Sequence, residues 1–276
     1  MDSSFPMSKS EIKNCLLGIM DGIHDFCISH KINYSLAYGS LLGAIRHKGF
    51  IPWDDDIDIF ILRKDYDLFV KEFNRNRNDS YRFLSRETDP LYYLPIAKVI
   101  DTNTSVRELD WAEEIGCYVD VFVVDNLTDD IKTAKSMLKR IRRRQKLIMP
   151  FQIAYTERRS CIKKYVLSVL KSVLRWVDYY HVVDSISAIA QEHKNEENGK
   201  YCGSVMLLSY NEREIMHSEW FREFVPNEFE GRAYLVTQNY DDILAQLYGD
   251  YVTLPPLSQR VSHHAFSAFW KENPVS

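Results

Sequence analysis

The chain has 276 residues, 45% of them hydrophobic and 27% charged, with a formal net charge of −4. This length and balance suit a globular protein with a real core, in one domain or one domain with an embellishment. Nothing at the start reads as a signal peptide, no charge-free stretch reaches the length of a membrane span, and five scattered cysteines form no CxxC pair. The thiols read as reduced core residues of a cytoplasmic protein rather than disulfides or a zinc site.

Residues 8–31 read as a helix, with a capping-box pattern at Ser8 and Glu11 and apolar Ile12, Leu16, Ile19, Ile23 and Phe26 at helical spacing. Residues 33–38 predict a first strand, Gly39-Ser40 a turn, and 40–47 a short helix with Gly49 suited to its end. A second strand is expected over 54–62, placing Ile57, Ile59 and Ile61 on one side and Asp56, Asp58 and Phe60 on the other. A helix near 65–73 and strands near 81–84 and 92–100 come next. The run GCYVDVFVVDN at 116–126 predicts a strand with Tyr118, Asp120 and Phe122 on one face and valines on the other. A lone acid in an apolar strand is costly unless paired or metal-bound, so Asp120 is a candidate site residue. From 128 to about 198 the periodicity is mostly helical, and the C-terminal part offers a helix over 241–248 before the turn-rich YGDYVTLPPLSQRVSHH. The expected class is α/β (α+β): a mixed sheet flanked by helices over 1–127, a basic helical insertion over 128–200, and a C-terminal part, 201–276, that completes the site.

Charge is segregated. Between Lys132 and Arg175 fourteen Lys and Arg face Glu157 alone, so this segment carries +13 and the remainder −17. Such a block usually meets a polyanion or an anionic surface. Within it, Ile162, Val166, Val169, Val173 and Val177 form an apolar stripe and Lys164, Ser168, Lys171 and Arg175 a polar one. The simpler expectation packs the stripe on the core and leaves the cations in water. The alternative rests the helix on an anionic bilayer. Nucleic acid is disfavoured, because aromatic residues for base stacking are sparse around LKRIRRRQK.

Residues 37–61, AYGSLLGAIRHKGFIPWDDDIDIFI, carry the chemistry. Acids at i and i+2 of a strand point to the same face with Cα atoms about 6.6 Å apart, close enough to share one hard divalent cation. A Gly-Ser turn at a helix N-terminus offers free N–H groups to a phosphate. A solvated acidic loop is the plain alternative, and alternation with isoleucines argues against it. An EF-hand reading fails at Ile59 and Asp65, where glycine and glutamate are required, and no GK[ST] follows the glycines to make a Walker A loop. Lys98, a charge inside LPIAKVI, either points into the site or snorkels from an edge. Arg46 is either a phosphate clamp or a cation set against a helix C-terminal dipole.

Strand, Gly-Ser, helix, a strand with acid-apolar-acid and a later strand with one more acid resembles the nucleotidyltransferase-fold superfamily. GSLLGAIRHKGFIPWDDDIDI more narrowly resembles the signature of the LicD family, which includes bacterial phosphocholine transferases and is related to the fukutin-type ribitol-phosphate transferases. AKVID (97–101), YVDVFVVDN (118–126) and EFVPNEFEGR…YGDYVTLPP…HH (223–264) extend the likeness over most of the chain except the basic block. The resemblance implies a nucleotidyltransferase-like catalytic core over 1–127. It matches Asp56 and Asp58 to paired metal-binding acids, Asp54 to a third acid, Asp120 to the acid on the later strand, and Gly39 and Ser40 to the phosphate-binding turn. Arg260, His263 and His264 fall in a tail it marks as substrate-side. Phe60, where many relatives have glycine, is a departure that would narrow the pocket.

The resemblance also implies Mg²⁺ (or Mn²⁺) held by Asp56, Asp58 and Asp120, a CDP-alcohol donor, foremost CDP-choline, and a glycan acceptor that could be lipid-linked, such as teichoic acid or lipopolysaccharide. Attack of the acceptor hydroxyl on the distal phosphorus would release CMP, at the inner face of a bacterial membrane if the basic block touches it. The runners-up are the same fold using CDP-ribitol or CDP-glycerol, a true nucleotidyltransferase, and a non-catalytic scaffold that binds nucleotide or metal.

Overall fold

The structure, a computed structural model, describes residues 5–76, 80–108, 115–153, 160–196, 199–260 and 266–271. In chain order the elements are β1 (Phe5–Pro6), α1 (Lys9–His30), β2 (Tyr34–Leu36), α2 (Tyr38–His47), β3 (Asp58–Leu62), α3 (Arg63–Asn76), β4 (Tyr81–Leu84), β5 (Ala97–Asp101), β6 (Thr104–Glu108) and β7 (Tyr118–Thr128). Then come α4 (Ile131–Gln152), α5 (Cys161–Val173), α6 (Tyr179–Ala190), β8 (Tyr201–Gly203), β9 (Met216–His217), β10 (Phe224–Phe229), β11 (Arg232–Thr237), α7 (Tyr240–Tyr248) and β12 (Phe266–Trp270). This is the mixed α/β class that the sequence predicts.

The main sheet runs β2-β3-β7-β5-β4, and β8 and β9 extend it from the far end of β7. Only the central β3–β7 pair is parallel; the others in this sheet are antiparallel. Register gathers the charged residues. Asp58 lies opposite Asp120 across β3–β7, and Lys98 lies opposite Asp120 across β5–β7. Paired residues in register project to the same face, so one row carries all three side chains.

Local chemistry explains the elements. Ser8 caps α1 in a full capping box with Glu11, as its sequence implies. Asp130 caps α4 by accepting the Lys132 and Thr133 N–H groups. The β10–β11 hairpin turns at Glu230 (φ 51°) and Gly231 (φ 73°), both left-handed as a tight hairpin requires. That hairpin lies on β2: Thr237 N–H donates to Ser35 Oγ at 3.0 Å and Leu235 N–H to Tyr34 Oη at 3.2 Å.

Four expectations change. The strand expected over 54–62 starts only at Asp58, because Asp54 N–H closes a turn on the Ile51 carbonyl. Asp54 and Asp56 therefore sit in the approach to the strand rather than on its face beside Asp58. The strand expected near 92–100 starts at Ala97, since Tyr92 N–H closes a turn on Asp89. Lys48 (φ 56°), not Gly49, takes the left-handed cap of α2; a Cβ on Gly49 would meet Glu230 Oε1 at 2.2 Å. The fourth change concerns α5. Ile162, Val166, Val169 and Val173 are exposed, Leu167 is the buried residue of the helix, and of the expected stripe only Val177 packs on the core. No helix among the described residues is long and apolar enough to cross a membrane.

Candidate active site

Asp58 opens β3 with only 8% of its surface exposed. Burial, then the charges of Asp56, Asp120 and Asp54, push its carboxyl well above the usual carboxylate range, with Lys98 pulling the other way. Lys98 is 5% exposed on an inner strand, so it does not snorkel. Its Nζ lies 2.5 Å from Asp120 Oδ1 and 3.3 Å above the centroid of the Tyr118 ring. The row thus reads acid, acid, cation, with two more acids at its head.

The Gly-Ser turn is fastened to this row. Ser40 Oγ accepts the Asp58 N–H at 2.9 Å, and Ala37 N–H donates to the Asp58 carbonyl at 2.8 Å. A side chain on Gly39 would place Cβ 2.5 Å from Asp54 Oδ2, so glycine is required for that carboxylate to lie over the turn. At the start of α2 the first N–H groups have no intrahelical acceptor.

Tyr38, just before the turn, holds φ at 42°, a conformation that costs a bulky residue on the order of 1–3 kcal/mol. Its ring is wedged edge-on against Phe60 and Phe122, both at 4.8 Å, and stacks on Tyr210 at 5.5 Å. Its hydroxyl donates to Glu214 Oε2 at 2.8 Å. Glu214 is wholly buried, also accepts the Tyr210 N–H at 3.0 Å, and burial raises its carboxyl to about 7. Phe60 is therefore a buried support for the strained turn rather than a residue narrowing a pocket. Tyr210 and Tyr248 join hydroxyl to hydroxyl at 3.1 Å, and both feel Asp58 and Asp54 as charges.

On another side stand two guanidiniums. Arg46 Nη1 donates to the Tyr251 carbonyl at 2.8 Å and Nε to His47 Nε2 at 3.0 Å. Burial, then the nearby Arg260 charge, lowers the Arg46 pKa. Arg260 donates from Nε to the Pro255 carbonyl at 2.8 Å and sits 5.5 Å from the Trp53 ring centroid, the ring that His47 meets edge-on at 6.3 Å. The two like charges therefore lie close enough to act on each other. His263 and His264 lie outside the described residues.

Among the described residues no three His, Cys, Asp or Glu already form a metal-ligand set. The donor chemistry nevertheless fits a divalent cation: carboxylate oxygens only, one of them buried and raised by its acidic neighbours, which is the environment a hard cation such as Mg²⁺ or Mn²⁺ relieves. Asp120 would have to share its Oδ1 between such an ion and Lys98.

A cleft of about 1270 Å³ opens elsewhere, at the opposite end of the β3–β7 pair between Leu62, Arg63, Val124, Asn126, Lys200 and Arg222. It contains none of the residues that the sequence singles out. Tyr38, Trp53, Tyr210, Glu214 and Tyr248 are not among the candidate residues of the sequence; Tyr38 and Trp53 lie within the 37–61 segment and Tyr248 within the C-terminal likeness, whereas Tyr210 and Glu214 lie in neither.

An α/β sheet with a Gly-Ser turn clipped to a paired-acid row is the arrangement expected of a nucleotidyltransferase-like protein. The family model described as "LicD/FKTN/FKRP, nucleotidyltransferase domain" matches residues 31–155. The chain is 30% identical over 262 residues to the lipopolysaccharide cholinephosphotransferase LicD of Haemophilus influenzae, covering 92% of this chain and 94% of that protein. Shorter matches, 44% identical over 50 residues, join 18% of the chain to uncharacterized proteins of Rickettsia prowazekii and Rickettsia typhi, covering 19% and 16% of those proteins. The chain belongs to the LicD family.

Proposed function

We propose that the protein is a metal-dependent phosphotransferase that moves phosphocholine from CDP-choline to a hydroxyl of a cell-surface glycan and releases CMP in the cytoplasm. The observation that carries this reading is the Asp58–Asp120 row, loaded with like charge and fastened to a Gly-Ser turn, in a chain similar to a lipopolysaccharide cholinephosphotransferase over nearly its whole length.

Asp56, Asp58 and Asp120 would hold Mg²⁺ or Mn²⁺, with Asp54 beside them. When bound, the cation neutralises diphosphate charge and stabilises the leaving CMP. The chain's own groups do the rest. The Gly39 and Ser40 N–H groups at the start of α2 face phosphate oxygens, and Arg46 with Arg260 grips the diphosphate from the other side. Lys98 orients Asp120 through their ion pair. Tyr210 and Tyr248, half-buried aromatics that feel the charges of Asp58 and Asp54, are the residue type that holds a quaternary ammonium. The acceptor oxygen forms its bond to the distal phosphorus while the bond from that phosphorus to the bridging oxygen breaks. CMP leaves with the electron pair, and the hydroxyl proton passes to Asp120.

A screen of CDP-choline, CDP-ribitol and CDP-glycerol with Mg²⁺, scored by CMP release in the presence of lipopolysaccharide or teichoic acid, tests this reading. CDP-choline should be turned over, and chelation of the metal should stop it. Preference for another CDP-alcohol would reassign the donor, and no turnover of any would return the chain to a scaffold role.

A further inference from the structure

The helical block has one face that the fold leaves uncovered. On α5, Ile162 is 77% exposed, Val173 70% and Trp176, in the turn just after the helix, 84%; Tyr165, Val166, Val169 and Leu170 are exposed as well. At 100° per residue these side chains span an arc of about 140°. The opposite side of the helix meets the protein: Leu167 is buried, Lys164 and Lys171 are half-buried, and Lys171 Nζ donates to the Ile153 carbonyl at 3.1 Å. An amphipathic helix on a soluble protein turns its apolar arc inward. This one turns it outward. Leu147 and Met149, near the end of α4, add to the exposed apolar surface of the block.

Charge indicates the occupant. Lys139, Arg143, Lys146 and Lys163 are exposed on the same two helices and Arg175 in the turn after α5, where its guanidinium lies over the Trp176 ring at 4.8 Å. A second copy docking through this face would bring together two segments of +13 each, which is repulsive. A surface that offers hydrocarbon beneath negative charge satisfies both the arc and the cations. The 13 residues of α5 extend about 20 Å, too short for a hydrocarbon core of about 30 Å, so the helix can lie along a bilayer but not span it.

We propose that the exposed apolar arc of α5, with Trp176 at its end, is an interfacial anchor that seats the protein on an anionic lipid bilayer. The proposal stands independently of the donor the protein uses. Its test is flotation of the full chain with vesicles of phosphatidylcholine alone and of phosphatidylcholine mixed with phosphatidylglycerol. The protein should float with the anionic vesicles, remain below the neutral ones, and be released by salt. The triple variant Ile162→Ser, Val173→Ser, Trp176→Ser should lose binding by about tenfold or more, with unchanged circular dichroism because these side chains are exposed. The proposal is overturned if the wild type does not float with anionic vesicles at low salt, or if the triple variant floats equally well. It is equally overturned if sedimentation shows a dimer that the triple variant dissociates while neither protein floats.

Discussion

The parallel pair β3–β7 carries a buried acid at each end, and the two ends are treated differently. At the far end Asp125, with no exposed surface, is gripped by Arg63 through Nε at 2.7 Å and Nη2 at 3.0 Å, a bidentate pair that matches its charge. At the near end Asp58 and Asp120 face each other with Asp54 and Asp56 close by, and Lys98 is the cation in their row. The first acid is neutralised within the fold. The second group crowds like charges beside a strained turn, and those charges push the Asp58 carboxyl up. Crowded like charge around a buried acid is the arrangement that the proposed cation would relieve.

That contrast can be broken in a definite order. Asp58→Asn should reduce CMP release from CDP-choline by about a thousandfold or more while leaving thermal stability unchanged or raised, since repulsion is relieved; steady-state kinetics and a melting curve read the two together. Asp125→Asn should do the reverse, costing about 3–5 kcal/mol in denaturant unfolding by leaving Arg63 without its charge partner, with turnover per folded molecule preserved. If Asp58→Asn instead destabilised as Asp125→Asn does, the two ends would be structurally equivalent.

Glu214 sharpens the picture of the turn's support. Its carboxyl titrates at about 7 in the fold against an ordinary 4.5, so between those values the folded state holds the extra proton. Wild-type stability should therefore fall as pH rises from 4.5 to about 7 and level off above it. Glu214→Gln removes that slope, so its stability relative to wild type should climb by about 3 kcal/mol across the window in urea titrations. Equal slopes would show that Glu214 ionises normally. The smallest effect belongs to Arg46→Lys, which keeps the charge but loses the fork, and should raise the donor KM by about tenfold with kcat little changed.

Legibility followed locality. The capping box at Ser8 and Glu11, the alternation of Ile57, Ile59 and Ile61, and the valine face around Asp120 are set by neighbours in sequence, and the structure keeps them. The likeness of the Gly-Ser turn and acids to a known signature points to the right family without any coordinates. What stays hidden depends on distant partners. The left-handed Lys48 goes with a Gly49 that yields its space to distant Glu230, whereas the strand start at Asp58 is set by a local turn at Ile51 and Asp54 that the isoleucine alternation masks. Glu214 gains its meaning only from Tyr38, far away in the chain. The α5 stripe is visible in the sequence, but periodicity shows that a helix has an apolar face, not which way that face points.

The central claim is that the acids at the near end of β3–β7 gather a divalent cation. Titrating Mn²⁺ into wild-type and Asp58→Asn protein with CDP-choline present, and monitoring free Mn²⁺ by electron paramagnetic resonance, tests it most directly. The account predicts a site in the wild type that Mg²⁺ displaces and that Asp58→Asn abolishes. Equal binding by both proteins, or none by the wild type, would contradict it.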